Sequence, residues 1–428
     1  MRVLVIGSGA REHAIVFACT RSERVDRVYY CGLENGGISM IARHIDISPD
    51  DFEGLSRFAN EKIGKDGLTI VGPEAPLARG IVDRFTNDGL VILGPSELGA
   101  GMERSKYFCH LLLGKYGIQT APFRAFISRT GAKEYIKERY FLNGNGNRCV
   151  IKADELMAGK GVLVPNNLEE ALKAVDHLFS ICKDKLILVE DYIAGNEYSF
   201  TAITDGKRMI PFAAVRDYKR QFDGDVGPNT GGQGCFGPVL NFADPTFVKM
   251  ASIAERVIFA LGSERIQYRG FLYLGFMVDK EGEPIILEIN VRLGDPEAQV
   301  ILNLIDSDPV ELFAAAAKGD LKDMRVRWKN ESCVCVVISS SRAGYKIYGL
   351  EEASKEGALV FHARTKRDES ANFHTNGEGR TLSVVASGKS IEDARSIAYN
   401  GARHISFWRK NPSKGKQYYR KDIAFLDK

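Results

Sequence analysis

Four short apolar runs, each stopped by glycine, constrain the fold of this chain more than any other feature. They are RVLVIGSG (2–9), RVYYCG (27–32), LTIVGP (68–73) and LVILGP (90–95). Helical patterns such as EHAIVFACTR (12–21) and PLARGIVDRF (76–85) lie between them. Strands alternating with helices predict a parallel sheet with helices on its faces. Such sheets bind ligands beyond their strand C-termini, which puts Gly7–Arg11 and Gly72–Pro76 at the expected binding edge. GSGARE (7–12) is G-x-G-x-x-E, not G-x-G-x-x-G, and Cys31 stands where a dinucleotide site wants an acid. A nicotinamide cofactor is therefore not expected. The turn still offers backbone N–H groups to an anion, with Arg11 as a fork suited to phosphate. A tight turn with no ligand is the even alternative.

The pattern changes near residue 104. SKYFCHLLLGKYG (105–117) predicts a helix ended by Gly117, NRCVIKADE (147–155) a strand and LEEALKAVDHLFS (168–180) a helix. KLILVEDY (185–192) and EYSFTAITDG (197–206) predict strands, and GFLYLGFMVDKEGEPIILEINVR (270–292) a hairpin turning at KEGE. Beyond 326, CVCVVISSS, TLSVVAS and IEDARSIAYNGARHI predict a smaller α+β domain. The expected domains are thus 1–103, 104–325 and 326–428, in keeping with 428 residues. A net charge of +3 gives no reason to expect nucleic acid or an anionic membrane as partner. No apolar run is long enough to span a bilayer, and MRVLVIGSG lacks the regions of a signal peptide. The eight cysteines form no C-x-x-C pair, so buried reduced thiols in a cytoplasmic protein are expected rather than zinc.

Three stretches carry chemistry. In LEINVRLGDPE (287–297), strand alternation puts Glu288, Asn290 and Arg292 on one face and Leu287, Ile289, Val291 and Leu293 on the other. Two oxygen donors followed by a guanidinium suit Mg2+ shared with substrate phosphates. The bland alternative is a solvated strand face. The apolar flanks make the strand central, however, and a central polar face needs a partner. MAGKGV (157–162) fails the P-loop spacing, with Asp154 at the earlier glycine position and Gly161 in place of Ser/Thr. It is a glycine-rich turn, either a mobile hairpin folding over phosphates or an ordinary β-turn. DGDVGPNTGGQGCFGP (223–238) holds six glycines and two prolines, with Asp217, Lys219 and Arg220 just upstream. So long a loop inside a compact body reads as substrate-binding.

Together these residues resemble the ATP-grasp superfamily and, within it, the glycinamide ribonucleotide synthetases. The resemblance runs through GSGAREHA (7–14), VGPEAPLARGIVD (71–83), ERSKYF (103–108), VIKADELMAGKGV (150–162), EDYIAGNEYSF (190–200), DYKRQFDGDVGPNTGGQG (217–234), GFLYLGFM (270–277) and EINVRLGDPEAQ (288–299). It implies an N-terminal parallel α/β (pre-ATP-grasp) domain, an ATP-grasp body with a mobile lid at about 122–188, and a small C-terminal α+β domain. It also implies an ATP-dependent carbon–nitrogen ligase of purine biosynthesis that joins glycine to 5-phosphoribosylamine through a glycyl phosphate. By the same resemblance Lys106 and Lys152 bind ATP phosphates under a lid at Gly159, Lys160 and Gly161. Glu190, Tyr192 and Ile193 hold adenine, and Glu197 the ribose. Glu288 and Asn290 carry Mg2+ or Mn2+. Arg292 and Lys152 face the transferring phosphoryl group, and Asp217 meets the glycine amine. Gly9, Ala10, Arg11, Glu74, Pro76, Lys219, Asn229, Thr230, Gly231, Asp295 and Pro296 line the substrate side. A monomer or weak homodimer is expected.

The chain departs from the family pattern at several places. Ala10 replaces a glycine, tolerable unless that backbone needs positive φ. Gln233, Cys235 and Phe236 follow the glycine pair, and Val291, Leu293 and Ala298 are substitutions expected to stay clear of the chemistry. In the C-terminal domain SSSRAGYK (339–346) has drifted, and FHARTK (361–366) carries Arg364 in place of glycine. Two alternatives follow: an ATP-grasp ligase with another amine or amino acid substrate, and a non-catalytic nucleotide-binding protein.

Overall fold

A computed structural model describes residues 1–143, 148–157, 160–182, 186–408 and 417–425. The four glycine-stopped runs form strands Arg2–Ile6, Arg27–Cys31, Leu68–Val71 and Ile92–Pro95, all parallel. A fifth parallel strand, Arg43–Ile45, pairs at the edge. It is three residues long and exposed at Arg43, too short to show an alternation in sequence. The helix expected over 76–85 is two pieces, Glu74–Ala78 and Ile81–Asn87. Gly80 breaks it at φ +84°, a conformation that suits glycine.

The parallel sheet does not stop with the N-terminal segment. Tyr268 and Arg269 pair antiparallel with Pro95 and Gly94, so the body strand Tyr268–Val278 continues it. On the far side of that strand lie Asn196–Thr204 and Met209–Pro211, and Pro284–Asn290 pairs alongside. Among the described residues this makes a nine-stranded sheet. Apolar side chains cover both of its faces, for example Leu4, Ile6 and Leu272 on one and Val3, Val5 and Phe271 on the other. Burial on both faces is why the parallel strands read as continuous apolar runs.

A separate four-stranded sheet, Phe123–Phe126, Ile187–Asp191, Cys149–Ala153 and Val162–Leu163, packs its own core against helices Arg129–Asn143 and Leu168–Ile181. The C-terminal sheet takes strands from two parts of the chain. Ser332–Ser340, Gly379–Gly388 and Leu359–His362 are joined by Arg216–Asp217 and Gly234–Gly237. The glycine-rich stretch 223–238 is therefore not one loop. It forms a short hairpin, Arg220–Phe222 with Val226–Asn229, and then a strand of the C-terminal sheet, Gly234–Gly237, held between Arg216–Asp217 and Ser332–Ser340. All eight cysteines are buried, and none is in a disulfide. Among the described residues no helix is long and apolar enough to cross a membrane.

Candidate active site

The row 288–292 stands on a bulge. Glu288 pairs with Gly275 and Ile286 with Phe276, which leaves Leu287 as the extra residue. The bulge turns the Leu287 carbonyl toward Lys152, whose Nζ donates to it at 2.8 Å. Ile289, Val291 and Leu293 are core as the alternation requires. Leu287 is the exception: it is half-buried and lines a narrow cleft with Lys106, Met157, Glu288 and Arg292. Arg292 Nη2 lies 3.2 Å from Asn290 Oδ1, so the three polar groups do share one side.

Carboxylates fix the guanidinium. Arg292 Nη2 is 2.8 Å from Glu103 Oε1, and Nε is 3.3 Å from Glu74 Oε2. The other oxygen of Glu103 accepts the Val291 N–H at 2.8 Å. Burial works against the Arg292 charge, but Glu103 and Glu74 more than offset it, and its pKa is raised. Burial likewise opposes the Glu74 charge, and Arg292 and Arg11 hold that carboxyl down at about 2.

Lys106 opens the helix Lys106–Lys115, placed by a double cap. Ser105 Oγ accepts the Phe108 N–H and donates to Asp154 Oδ2 at 2.8 Å, while Asp154 Oδ1 accepts from Tyr107 N. This ties the helix to the strand that carries Lys152. Lys106 Nζ donates to the carbonyls of Ala153 (2.9 Å) and Glu155 (3.2 Å). Burial and the neighbouring Lys152 lower its pKa. Glu190 is buried behind Lys152, with one oxygen 2.8 Å from Lys152 Nζ and the other 3.0 Å from His110 Nε2. Both oxygens are thus engaged, and Glu190 acts on Lys152 in this arrangement. The Tyr192 N–H donates to the Arg148 carbonyl, and the Arg148 guanidinium lies 4.1 Å from the Tyr192 ring centroid. Ile193 is half-buried. Lys160 borders the wider cleft and Gly161 the narrow one. Gly159 lies outside the described residues.

Lys219 bridges Glu197 and Glu288: it bonds Glu197 and sits 3.2 Å from Glu288 Oε1. Lys219 is the main cause of the low Glu288 pKa, about 2. Glu288 is therefore a carboxylate at any physiological pH. Asp217 lies beside this bridge. Its Oδ1 is buried without a partner, and burial together with Glu297 pushes its pKa well up. Gly232, at φ +103°, closes over it; a Cβ there would stand 2.8 Å from Asp217 Oδ1. Arg380 crosses from the C-terminal sheet to the carbonyls of Gly231 and Asp295 and, at 2.9 Å, to Asp295 Oδ2. Asn229, Thr230, Gly231 and Asp295 line the wider cleft, and Pro296 packs against Gly232.

At the first turn, Gly9 caps the helix Ala10–Thr20 and Ala10 begins it, so Ala10 has no need of positive φ. Glu12 Oε2 accepts the Gly9 N–H, and Glu12 Oε1 accepts from Arg11 Nε, both at 2.6 Å. Arg11 Nη1 donates to the Leu293 carbonyl. The fork expected to meet a phosphate is thus buried with internal partners. Pro76 is buried behind Glu74.

The structure adds Glu12, Glu103, Glu297 and Arg380 to the residues expected from sequence. Glu103, Glu297 and Arg380 act through partners far along the chain, so spacing carries no signal for them, whereas Glu12 bonds its near neighbours Gly9 and Arg11. The one sequence cue was at residue 12, where an acid stands in the place of the third fingerprint glycine. Among the described residues no three acidic, histidine or cysteine side chains converge as a metal cage. Glu288 and Asn290 beside two lysines instead fit a hard cation that takes most of its ligands from phosphate and water.

Three family models match the chain. They are described as phosphoribosylglycinamide synthetase N domain (residues 1–103), ATP-grasp (A) domain (104–298) and C domain (334–426). The phosphoribosylamine–glycine ligase of Caldanaerobacter subterraneus subsp. tengcongensis is 40% identical over 436 residues, covering 99% of both chains. That of Halalkalibacterium halodurans is 38% identical over 99% of this chain and 96% of its own. The crystal structure of the Thermotoga maritima phosphoribosylamine–glycine ligase superposes with a TM-score of 0.82 at 31% identity, covering 99% of this chain and all of that one.

Proposed function

The chain belongs to the phosphoribosylglycinamide synthetase family, and on that premise we propose that it ligates glycine to 5-phosphoribosylamine with ATP, giving glycinamide ribonucleotide, ADP and phosphate in purine biosynthesis. One observation carries the reading. Lys106, Glu288, Asn290 and Arg292 line one cleft, and Lys152, from a third chain segment, bonds the Leu287 carbonyl in its wall.

Lys106 and Lys152 bind the ATP phosphates, the second of them held by Glu190 and the Leu287 carbonyl. Glu288 and Asn290 hold Mg2+ or Mn2+, which when bound neutralises phosphate charge. Arg292, fixed by Glu103 and Glu74, faces the phosphoryl group passing to the glycine carboxylate. Such transfer depends on positioning and charge stabilisation rather than on a protein nucleophile. Asp217 takes the glycine ammonium, a cation that suits its unpartnered buried oxygen. Lys219 balances Glu197 and Glu288 beside it. The 5-phosphoribosylamine then attacks the acyl carbonyl from the wider cleft, between the first turn and Asn229–Gly231. Tyr192 and Ile193 border adenine, and Glu197 the ribose, once the lid carrying Lys160 and Gly161 closes. Closure excludes water, which the acyl phosphate requires. The enzyme works in the cytoplasm, where eight buried thiols outside any disulfide are at home, as a monomer or weak homodimer.

The test is ADP release with ATP, Mg2+, glycine and freshly generated 5-phosphoribosylamine, omitting each in turn. Release that needs both glycine and the amine is expected. Release indifferent to the amine would move the assignment to another nucleophile, and release indifferent to glycine would overturn the acyl phosphate route.

A further inference from the structure

With Arg11 turned inward, the first turn needs another cation if it is to meet a phosphate. The C-terminal domain brings one there. Asn35 Nδ2 donates to the carbonyls of Ser8 (2.8 Å), His362 (2.8 Å) and Ala363 (2.9 Å). Its Oδ1 accepts from the Gly37 and Ile38 amides, which holds the side chain still. Three carbonyls on one amide nitrogen press the 362–363 backbone against the turn. Arg364 comes next, exposed, and lines the same wide cleft as Ser8 and Gly9. Its stem packs on Gly377, where an added Cβ would lie 3.2 Å from Arg364 Cδ, and Nη1 donates to the Glu378 carbonyl. Arg364 is also where the sequence leaves its family's glycine. Glu34 and Glu378 are acids that line the same cleft.

We propose that Arg364 is a specificity-determining residue of this chain, holding the phosphate monoester of the phosphoribosyl substrate at the rim of the first turn. The proposal rests on the ligase reading above. A phosphate monoester carries nearly two negative charges at neutral pH, and a guanidinium meets it with paired N–H donors. With Arg364 removed, Glu34 and Glu378 leave the lip acidic and repel the dianion.

Steady-state kinetics of Arg364→Met, Arg364→Gly and Arg364→Lys test this. Methionine keeps a stem over Gly377 and loses the charge. In the Met and Gly variants, KM for 5-phosphoribosylamine should rise about tenfold or more relative to KM for ATP and for glycine. Lysine should recover part of the loss. Glu34→Gln should lower KM for the amine. An equal rise in all three KM values, or a loss in Gly that Met restores, would make Arg364 a strap for the 376–379 turn and overturn the proposal. So would an unchanged KM. Titration with inorganic phosphate, followed by 31P NMR without turnover, separates the two readings. Weaker phosphate binding by Arg364→Met than by the wild type supports the contact even if no ligase activity is found. Equal binding refutes it even if the ligase activity is confirmed.

Discussion

Carboxylates hold nearly every cation of this site at a set place. Glu190 positions Lys152, Glu103 and Glu74 position Arg292, and Glu12 draws Arg11 away from solvent. Glu288 is the exception, because its partner Lys219 is shared with Glu197 and its row faces the cleft. Glu288→Gln should therefore remove most turnover and weaken apparent Mg2+ affinity by about a hundredfold, while the thermal midpoint moves by about a few degrees at most. Mg2+ titration of kcat checks this, and an unchanged midpoint of that titration would sink the metal assignment. Glu103→Ala should do the opposite. It strips a buried pair of one partner and orphans the Val291 N–H, so urea unfolding should show a loss of about 3–5 kcal/mol. Unfolding at wild-type urea concentration would mean that Glu74 alone holds Arg292.

At the scale of elements, the first turn and the strand 68–71 are locked by one side chain. The Glu12 carboxylate fills the space beneath Gly7 and Gly72; a Cβ on Gly7 would stand 2.9 Å from Glu12 Cγ, and one on Gly72 would overlap the carboxylate. Gly72→Ala should thus cost about 1–3 kcal/mol and also free Arg11 from its partner. Chemical denaturation reads the first effect. A variant as stable as the wild type would show that Glu12 can move aside. The strands and helices themselves were legible, since Arg2–Ile6 or Leu168–Ile181 need only their own periodicity. The strand Gly234–Gly237 was not. Its partner, Ser332–Ser340, lies about a hundred residues away, and its glycines carry no alternation of their own.

At the scale of the whole molecule, the N- and C-terminal domains meet on two buried histidines. His13 Nδ1 accepts the His362 N–H at 2.8 Å, and His362 Nδ1 lies 2.9 Å from Thr365 Oγ1. Burial lowers both pKa values, His362 to about 4, and His362 lowers that of His13 further. Between about 4 and 6.5 the unfolded chain binds more protons at His362 than the folded one. Stability therefore rises with pH across that window and is lost as pH falls through it. The contribution of His362 is on the order of 3 kcal/mol. Urea midpoints between pH 4 and 7 should fall less steeply with acid in His362→Asn than in the wild type. Parallel profiles would show that the joint tolerates the charge.

What the sequence determined by itself was the parallel α/β start, the α+β body and third domain, and the identity of the polar row at 288–292. These rest on periodicity and local spacing, which one segment carries whole. The tertiary structure decided the rest. It chose the side chain that positions each cation, turned Arg11 inward, moved Leu287 from core to cleft through a bulge, and set Arg364 beside the first turn. Those outcomes depend on hydrogen bonds and buried charges between segments up to several hundred residues apart, and no local pattern encodes which distant carbonyl or carboxylate will arrive.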